Sequence, residues 1–412
     1  MRTQRLLAFF LAAALPSFAD AGNVQVTSST QYVRDVDFLS QDTDQHDIAQ
    51  YLRLSASFGE ADNIAVYGYG RLIGQLSTSM EQRRELADNL LGRLYYLYLD
   101  YRDAVPGHLD VRAGRTFVGT TAIPAVVDGA QLTGRDLGVK GLGMSAFGGH
   151  RVFFDNRTEL AYRNDSVWGA SVFFDAAART RAEVSYAREY SSGDFAREET
   201  ALDVSTTPFQ LVNLYGRAKY DLVEGRFNEL TFGTKVQPLD PLVLRAEYFD
   251  SVPTFDQASF YRSFGVERYR QVSLGAEYRL APWLRLTGKY AWERFDAEET
   301  ANLVGGGFRA IPAPGLFLNA SYEYRDGYAG RLGGLRVNTG YTIAAIKTTL
   351  LAGVDYDDFR REASRDGNAR RYWAGAEVKV NRQVSASVRA ERNENFLFDP
   401  SYQGFLAIDY HP

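Results

Sequence analysis

Cysteine is absent from the chain. That excludes disulfides, thiolate metal centres, cysteine nucleophiles and thiol-linked c-type haem. Histidine is nearly as scarce. The 4 histidines, His46, His108, His150 and His411, fall in expected links or at the chain end, without the i, i+4 spacing of a metal-binding helix. They read as surface groups, so no metal site, cofactor or catalytic residue is expected. Nucleophile-elbow, P-loop and dinucleotide fingerprints are missing too, and no enzymatic activity is expected. The glycine run Gly305-Gly306-Gly307 fits a strand that needs close backbone approach or a bend better than it fits a phosphate cradle. With 51 acidic against 46 basic residues and a net charge of −5, the chain offers no basic surface for nucleic acid. One apolar run exceeds a few residues, Leu6 to Leu15, and it is too short to span a bilayer as a helix.

That run follows Arg2 and Arg5 and precedes the small-residue site Ala19-Asp20-Ala21, the pattern of a secretory leader. Residues 1–21 are therefore expected to be a cleaved signal peptide, with 22–412 forming the mature chain. No Pro/Ser-rich linker divides that chain, which reads as one unit. Its composition is rich in Tyr (26), Phe (26) and Gly (37). Tyrosine suits places where an apolar body meets a wet edge, as at membrane interfaces.

Strict alternation over eight to twelve residues recurs along the sequence, which is the period of a strand. Between Trp283 and Glu293, Leu284, Leu286, Gly288, Tyr290 and Trp292 share one side, and Arg285, Thr287, Lys289, Ala291 and Glu293 the other. The same split separates Val272-Leu274-Ala276-Tyr278 from Gln271-Ser273-Gly275-Glu277-Arg279, and Leu318-Ala320-Tyr322-Tyr324 from Asn319-Ser321-Glu323-Arg325. Near the end it separates Val384-Ala386-Val388-Ala390 from Ser385-Ser387-Arg389-Glu391. Links alternate in length. Tight ones are expected at 60–63, 104–107, 238–241, 281–282, 313–315 and 381–382, and longer polar ones at 77–88, 149–165, 252–267, 359–367 and 393–400. Counting back from the C-terminus gives about 22 strands, within a range of 18–22. Strands near Val24–Val36, Arg197–Ser205 and Ala301–Ala310 carry the weakest pattern. The expected fold is all-β: a transmembrane, antiparallel, up-and-down barrel with no plug domain, apolar side to lipid and polar side to a wet bore.

The polar side supplies the expected pore-lining residues. Arg53, Arg112, Arg217 and Lys219 come from the first half. Arg245 with Glu247, Glu277 with Arg279, and Glu323 with Arg325 form opposite-charge neighbours two residues apart, as do Glu377 with Lys379 and Arg389 with Glu391. Arg285, Lys289, Glu293 and Arg371 complete the set. Mutual neutralisation of a wet wall explains such pairs, and the two signs balance, so no selectivity is read from them. Any narrowing of the bore is expected from inward side chains or from the 149–165 and 252–267 links.

The C-terminal segment Tyr402-Gln403-Gly404-Phe405-Leu406-Ala407-Ile408-Asp409-Tyr410 resembles the terminal strand of Gram-negative outer-membrane barrels, although His411 and Pro412 follow the final aromatic. The resemblance implies outer-membrane localisation and recognition of Tyr402, Gly404, Leu406, Ile408 and Tyr410 by the barrel assembly machinery. Arg112-Ala113-Gly114-Arg115-Thr116-Phe117 with Val127-Asp128-Gly129-Ala130 resembles the Gly-Arg and Asp-Gly pair of early strands in porin-like families. More loosely, the chain resembles barrel subunits of porin-cytochrome conduits. Two readings stay open: a channel for passive diffusion of small polar or ionic solutes, and a scaffold around a partner such as an exported multihaem cytochrome.

Overall fold

The computed structural model describes residues 23–410 apart from 37–43, 60–61, 78–89, 153–164, 177–178, 253–267, 297–298, 328–329, 361–365 and 397. The leader and His411 lie outside the described residues. The chain runs through β1 (Asn23–Val36), β2 (Asp44–Phe58), β3 (Ile64–Ser77), β4 (Leu90–Val105), β5 (Leu109–Val118), β6 (Ala125–Gly134), β7 (Leu142–Arg151) and β8 (Ser166–Ala176). It continues through β9 (Thr180–Ser191), β10 (Asp194–Phe209), β11 (Val212–Asp221), β12 (Arg226–Leu239), β13 (Leu242–Ser251), β14 (Tyr269–Ala281) and β15 (Leu284–Phe295). The last seven are β16 (Glu299–Ala313), β17 (Leu316–Gly327), β18 (Gly330–Ile343), β19 (Thr348–Arg360), β20 (Gly367–Lys379), β21 (Val384–Asn395) and β22 (Phe398–Tyr410). Each strand pairs antiparallel with its successor, and β22 pairs with β1, from Ser28 opposite Tyr410 to Asp35 opposite Gln403. The 22-stranded sheet is a closed barrel, so no edge strand offers unpaired amides. The weakly patterned segments are β1, β10 and β16, as the alternation predicted.

The period-two pattern assigns the faces. Val272, Leu274, Tyr278, Leu286, Tyr290, Tyr322, Val388, Leu406 and Ile408 all stand exposed on the outer surface, the reverse of a water-soluble fold, where such residues fill a core. The same parity puts Tyr402, Gly404 and Tyr410 of β22 on that surface.

Links differ between the two ends. At the end holding the start of β1 and the finish of β22, no link exceeds the seven residues 135–141. All the longest links, including 78–89, 152–165 and 252–268, lie at the far end. The expected long link at 393–400 is a correction: β21 runs to Asn395 and β22 starts at Phe398. Polar Asn393, Asn395 and Ser401 belong to the ladder, because strands extend past the apolar band and polar composition there does not mark a loop. The β9–β10 turn, at the same end, shows how tight a far-end link becomes. Ser192 and Gly193 both take positive φ, 53° and 86°, the signature of the turn whose twist matches a hairpin.

Candidate functional site

All the residues expected to line the pore lie on the face opposite the exposed apolar set, by strand parity and register. Their partners differ from the sequence expectation. Arg389 and Glu391 do pair along their strand, Nε to Oε1 at 2.6 Å. Elsewhere the bonds cross strands. Arg285 holds Glu277 at 3.2 Å, Arg325 holds Glu293 at 2.8 Å, and Lys289 pairs with Glu323. Arg217 takes Asp203 at 3.0 Å, Lys219 takes Glu229 at 3.0 Å, and Arg371 binds Asp355 at 2.7 Å. Among the described residues, Arg245, Arg279, Glu377 and Lys379 make no ion pair. The reason is distance. Residues two apart on a strand are about 6.6 Å apart with parallel side chains, whereas the neighbouring strand is about 4.8 Å away.

Glycine extends this reach to the second strand over. Lys289 on β15 meets Glu323 on β17 across Gly305, which faces both. A Cβ there would stand 2.9 Å from Lys289 Cε. Likewise Tyr215 on β11 donates its hydroxyl to Glu247 on β13 at 2.5 Å across Gly233, and a Cβ at Gly233 would fall on the Tyr215 ring. The glycine-rich segment of β16 is therefore a close-approach strand, as its sequence suggested. Gly233→Val is expected to cost about 1–3 kcal/mol by overpacking, read as a lower denaturation midpoint in detergent. An unchanged midpoint would show that the Tyr215–Glu247 bridge contributes nothing.

Among the described residues the wall thickens inward at one place. The β5–β6 link, 119–124, is a largely buried segment whose Ala122 amide donates to Ser185 Oγ of β9 at 3.1 Å. Val118, Ala122, Ile123, Val127, Phe147, Val167, Ala187 and Ala201 form a dry cluster there. Beside it sit two fully buried carboxylates, Glu189 paired with Arg151 and Glu199 paired with Arg197. Sequence reasoning looked to 149–165 and 252–267 for narrowing, which lie mostly outside the described residues. It missed 119–124, although Ala122-Ile123-Pro124 inside a link was a visible signal.

A second feature missed in the sequence is a tyrosine–arginine sector on β2–β4. A bulge in β4, where Tyr69 opposes Tyr96 but Gly70 opposes Leu94, turns Tyr95 and Tyr96 toward one ring, that of Tyr69, at 4.8 and 5.7 Å. Tyr51 stacks on Tyr69 from the other side at 6.4 Å. Arg53 lies 5.2 Å over Tyr69, Arg71 and Arg93 lie near 6 Å from Tyr95, and Arg112 lies 4.8 Å over Tyr98. Arg112 also shares Asp100 with Arg102, at 3.3 and 3.2 Å. Neither Arg53 nor Arg71 meets a carboxylate among the described residues. Arg71 stands directly opposite Arg93, an arrangement of like charges that is destabilising in itself, and Arg71 Nε is buried without a hydrogen-bond partner. Cations over aromatic faces, with donor capacity left over, form a surface that attracts anions and flat polar groups.

The Gly-Arg and Asp-Gly segments stand side by side on β5 and β6. Arg115 binds Asp128 through two bonds of 2.7 Å, and it does so on the outer face. No cluster of His, Asp or Glu among the described residues has metal-site geometry. His108 and His150 each contact a backbone carbonyl, of Arg135 and Asp165.

No protein-family profile matches the sequence, and no curated protein matches it. Solved structures do resemble it. The outer-membrane protein OpdK from Pseudomonas aeruginosa is 12% identical with a TM-score of 0.48, covering 94% of this chain and 98% of that one. A BenF-like porin from Pseudomonas fluorescens Pf-5 is 10% identical at 0.48, covering 95% and 99%. OccK3 (OpdO) from Pseudomonas aeruginosa is 12% identical at 0.46, covering 95% and 96%. What this chain shows directly is a closed antiparallel sheet of 22 strands.

Proposed function

We propose that the protein is an outer-membrane channel, exported by its leader and inserted through its aromatic C-terminal strand, that passes small polar and ionic solutes by diffusion. One observation carries the reading: a closed barrel exposes a band of apolar residues outward and directs the charged residues expected to line the pore inward. Rows of charge are costly to pack dry, so the bore is wet. The end with short links faces the periplasm and the end with long links faces outward. Solutes pass the thickened wall at 119–124 and the tyrosine–arginine sector, where uncompensated guanidinium groups favour anions over cations locally.

Purified protein in a planar bilayer is expected to give stable open-channel current, with a reversal potential in a salt gradient displaced toward the anion. Replacing Arg53 and Arg71 together by Gln is expected to move the permeability ratio toward the cation while the channel still opens. Silence in wild type, with current or electron transfer only when a haem protein is added, overturns the channel reading.

A further inference from the structure

A second arginine-rich feature faces away from the bore. On the outer face of β17–β19, at the far end, Tyr322, Tyr324, Arg331, Gly333, Tyr356, Asp358 and Arg360 line a depression of about 330 Å³. All share the parity of the exposed apolar set, with Leu335 opposite Tyr322 and Tyr356, and Gly333 opposite Tyr324 and Asp358. The depression exists because Gly333 puts no side chain between the tyrosines. A Cβ there would come within 3.0 Å of the Tyr322 hydroxyl.

Arg331 and Arg360 stand directly opposite each other across the ladder. Like charges so placed repel. Their acidic neighbours relieve this only in part. Arg331 Nε is 3.2 Å from Asp326, and Arg360 Nε is 3.7 Å from Asp358. Among the described residues neither arginine has any other polar partner, which leaves the terminal nitrogens of both without a protein acceptor there. Both side chains are well exposed, at 57% and 62%. Another outer-face pair, Arg270 opposite Arg294, is handled differently. There a buried carboxylate, Asp250, takes Arg268 through two 2.7 Å bonds and Arg270 at 3.3 Å. The Arg331–Arg360 pair lacks such a buried acid and is left open to an external anion.

We propose that this depression holds the phosphate of a lipid headgroup in the outer leaflet, with the tyrosines against its sugar or glycerol part and its acyl chains along Leu335 and Val354 below. The inference rests on the outer-membrane reading. Outward aim and position at the far rim favour a membrane lipid over a free anion, and two guanidinium groups suit phosphate geometry. Tyrosines at the interface favour a headgroup with one apolar side.

The test uses the full chain in detergent, titrated with a bisphosphorylated, acylated diglucosamine lipid and read by native mass spectrometry. Wild type is expected to retain one such lipid here, and the R331Q/R360Q variant to bind it at least about tenfold more weakly, since two charged hydrogen-bond partners are lost. Gly333→Leu, which keeps both arginines but fills the depression, is expected to weaken binding as well. The dephosphorylated lipid should bind as weakly to wild type as the phosphorylated one does to the double variant, and equimolar inorganic phosphate should not displace the lipid. Unchanged affinity in R331Q/R360Q, equal binding of the dephosphorylated lipid, or displacement by inorganic phosphate overturns the proposal. Bilayer conductance is recorded on the same samples. A wild type that conducts but retains no lipid sinks this inference alone, whereas one that never enters a bilayer sinks the membrane reading beneath it.

Discussion

Replacing Glu199 by alanine is expected to destabilise the barrel by about 3–5 kcal/mol, the usual cost of breaking a buried ion pair by removing one member. Glu199 is 0% exposed. Arg197 Nε and Nη2 reach its Oε1 at 2.6 and 2.5 Å, and Asn228 Nδ2 donates to the same oxygen at 2.7 Å. Alanine would remove the acceptor of a half-buried guanidinium and of the buried Asn228 amide. Glutamine keeps an oxygen at the position where every donor converges, while Oε2 has no hydrogen-bond partner to lose. Glu199→Gln is therefore expected to cost clearly less than Glu199→Ala. Denaturant titration of the two variants in detergent checks the order. Equal losses would mean that charge rather than the Oε1 hydrogen bonds secures the site, and a loss below about 1 kcal/mol for alanine would mean that the wall there is wet.

Alternation made the fold legible because a strand's period is local: Leu284 to Trp292 declare an outer face without knowledge of any other strand. The barrel's closure and its 22 strands follow from repeating that inference. Contacts between strands are not local, and the pairing of Lys289 with Glu323 depends on register across two ladders and on Gly305 between them. The sequence showed Glu323 beside Arg325 and suggested that pair instead. The tyrosine–arginine sector was hidden for the same reason. Tyr51-x-Arg53 and Tyr69-x-Arg71 are visible repeats, but bringing Tyr95 and Tyr96 onto one ring requires a bulge in β4 that no propensity announces. The inward link 119–124 needed knowledge that Ser185, more than sixty residues on, stands where the Ala122 amide can reach it.

The inside–outside division is open to a direct thermodynamic test with adjacent residues. Val388 is 53% exposed on the outer face of β21, opposite Ala376 and Leu406. It lies five residues into a strand of 12, near the middle of the apolar band. Arginine there meets hydrocarbon and is expected to cost about 2–4 kcal/mol. The preceding residue, Ser387, points into the bore directly opposite Glu377, which has no ion-pair partner among the described residues. Arginine at 387 gains that carboxylate in a wet environment, so its cost is expected to stay within about 0.5 kcal/mol. Leu286 and the adjacent Thr287 repeat the contrast on β15, with Thr287 beside Glu277. The comparison is made by reversible folding into phospholipid vesicles, one substitution at a time. Similar losses at 387 and 388 would mean that the two sides of β21 meet the same solvent, which no lipid-embedded, water-filled barrel permits.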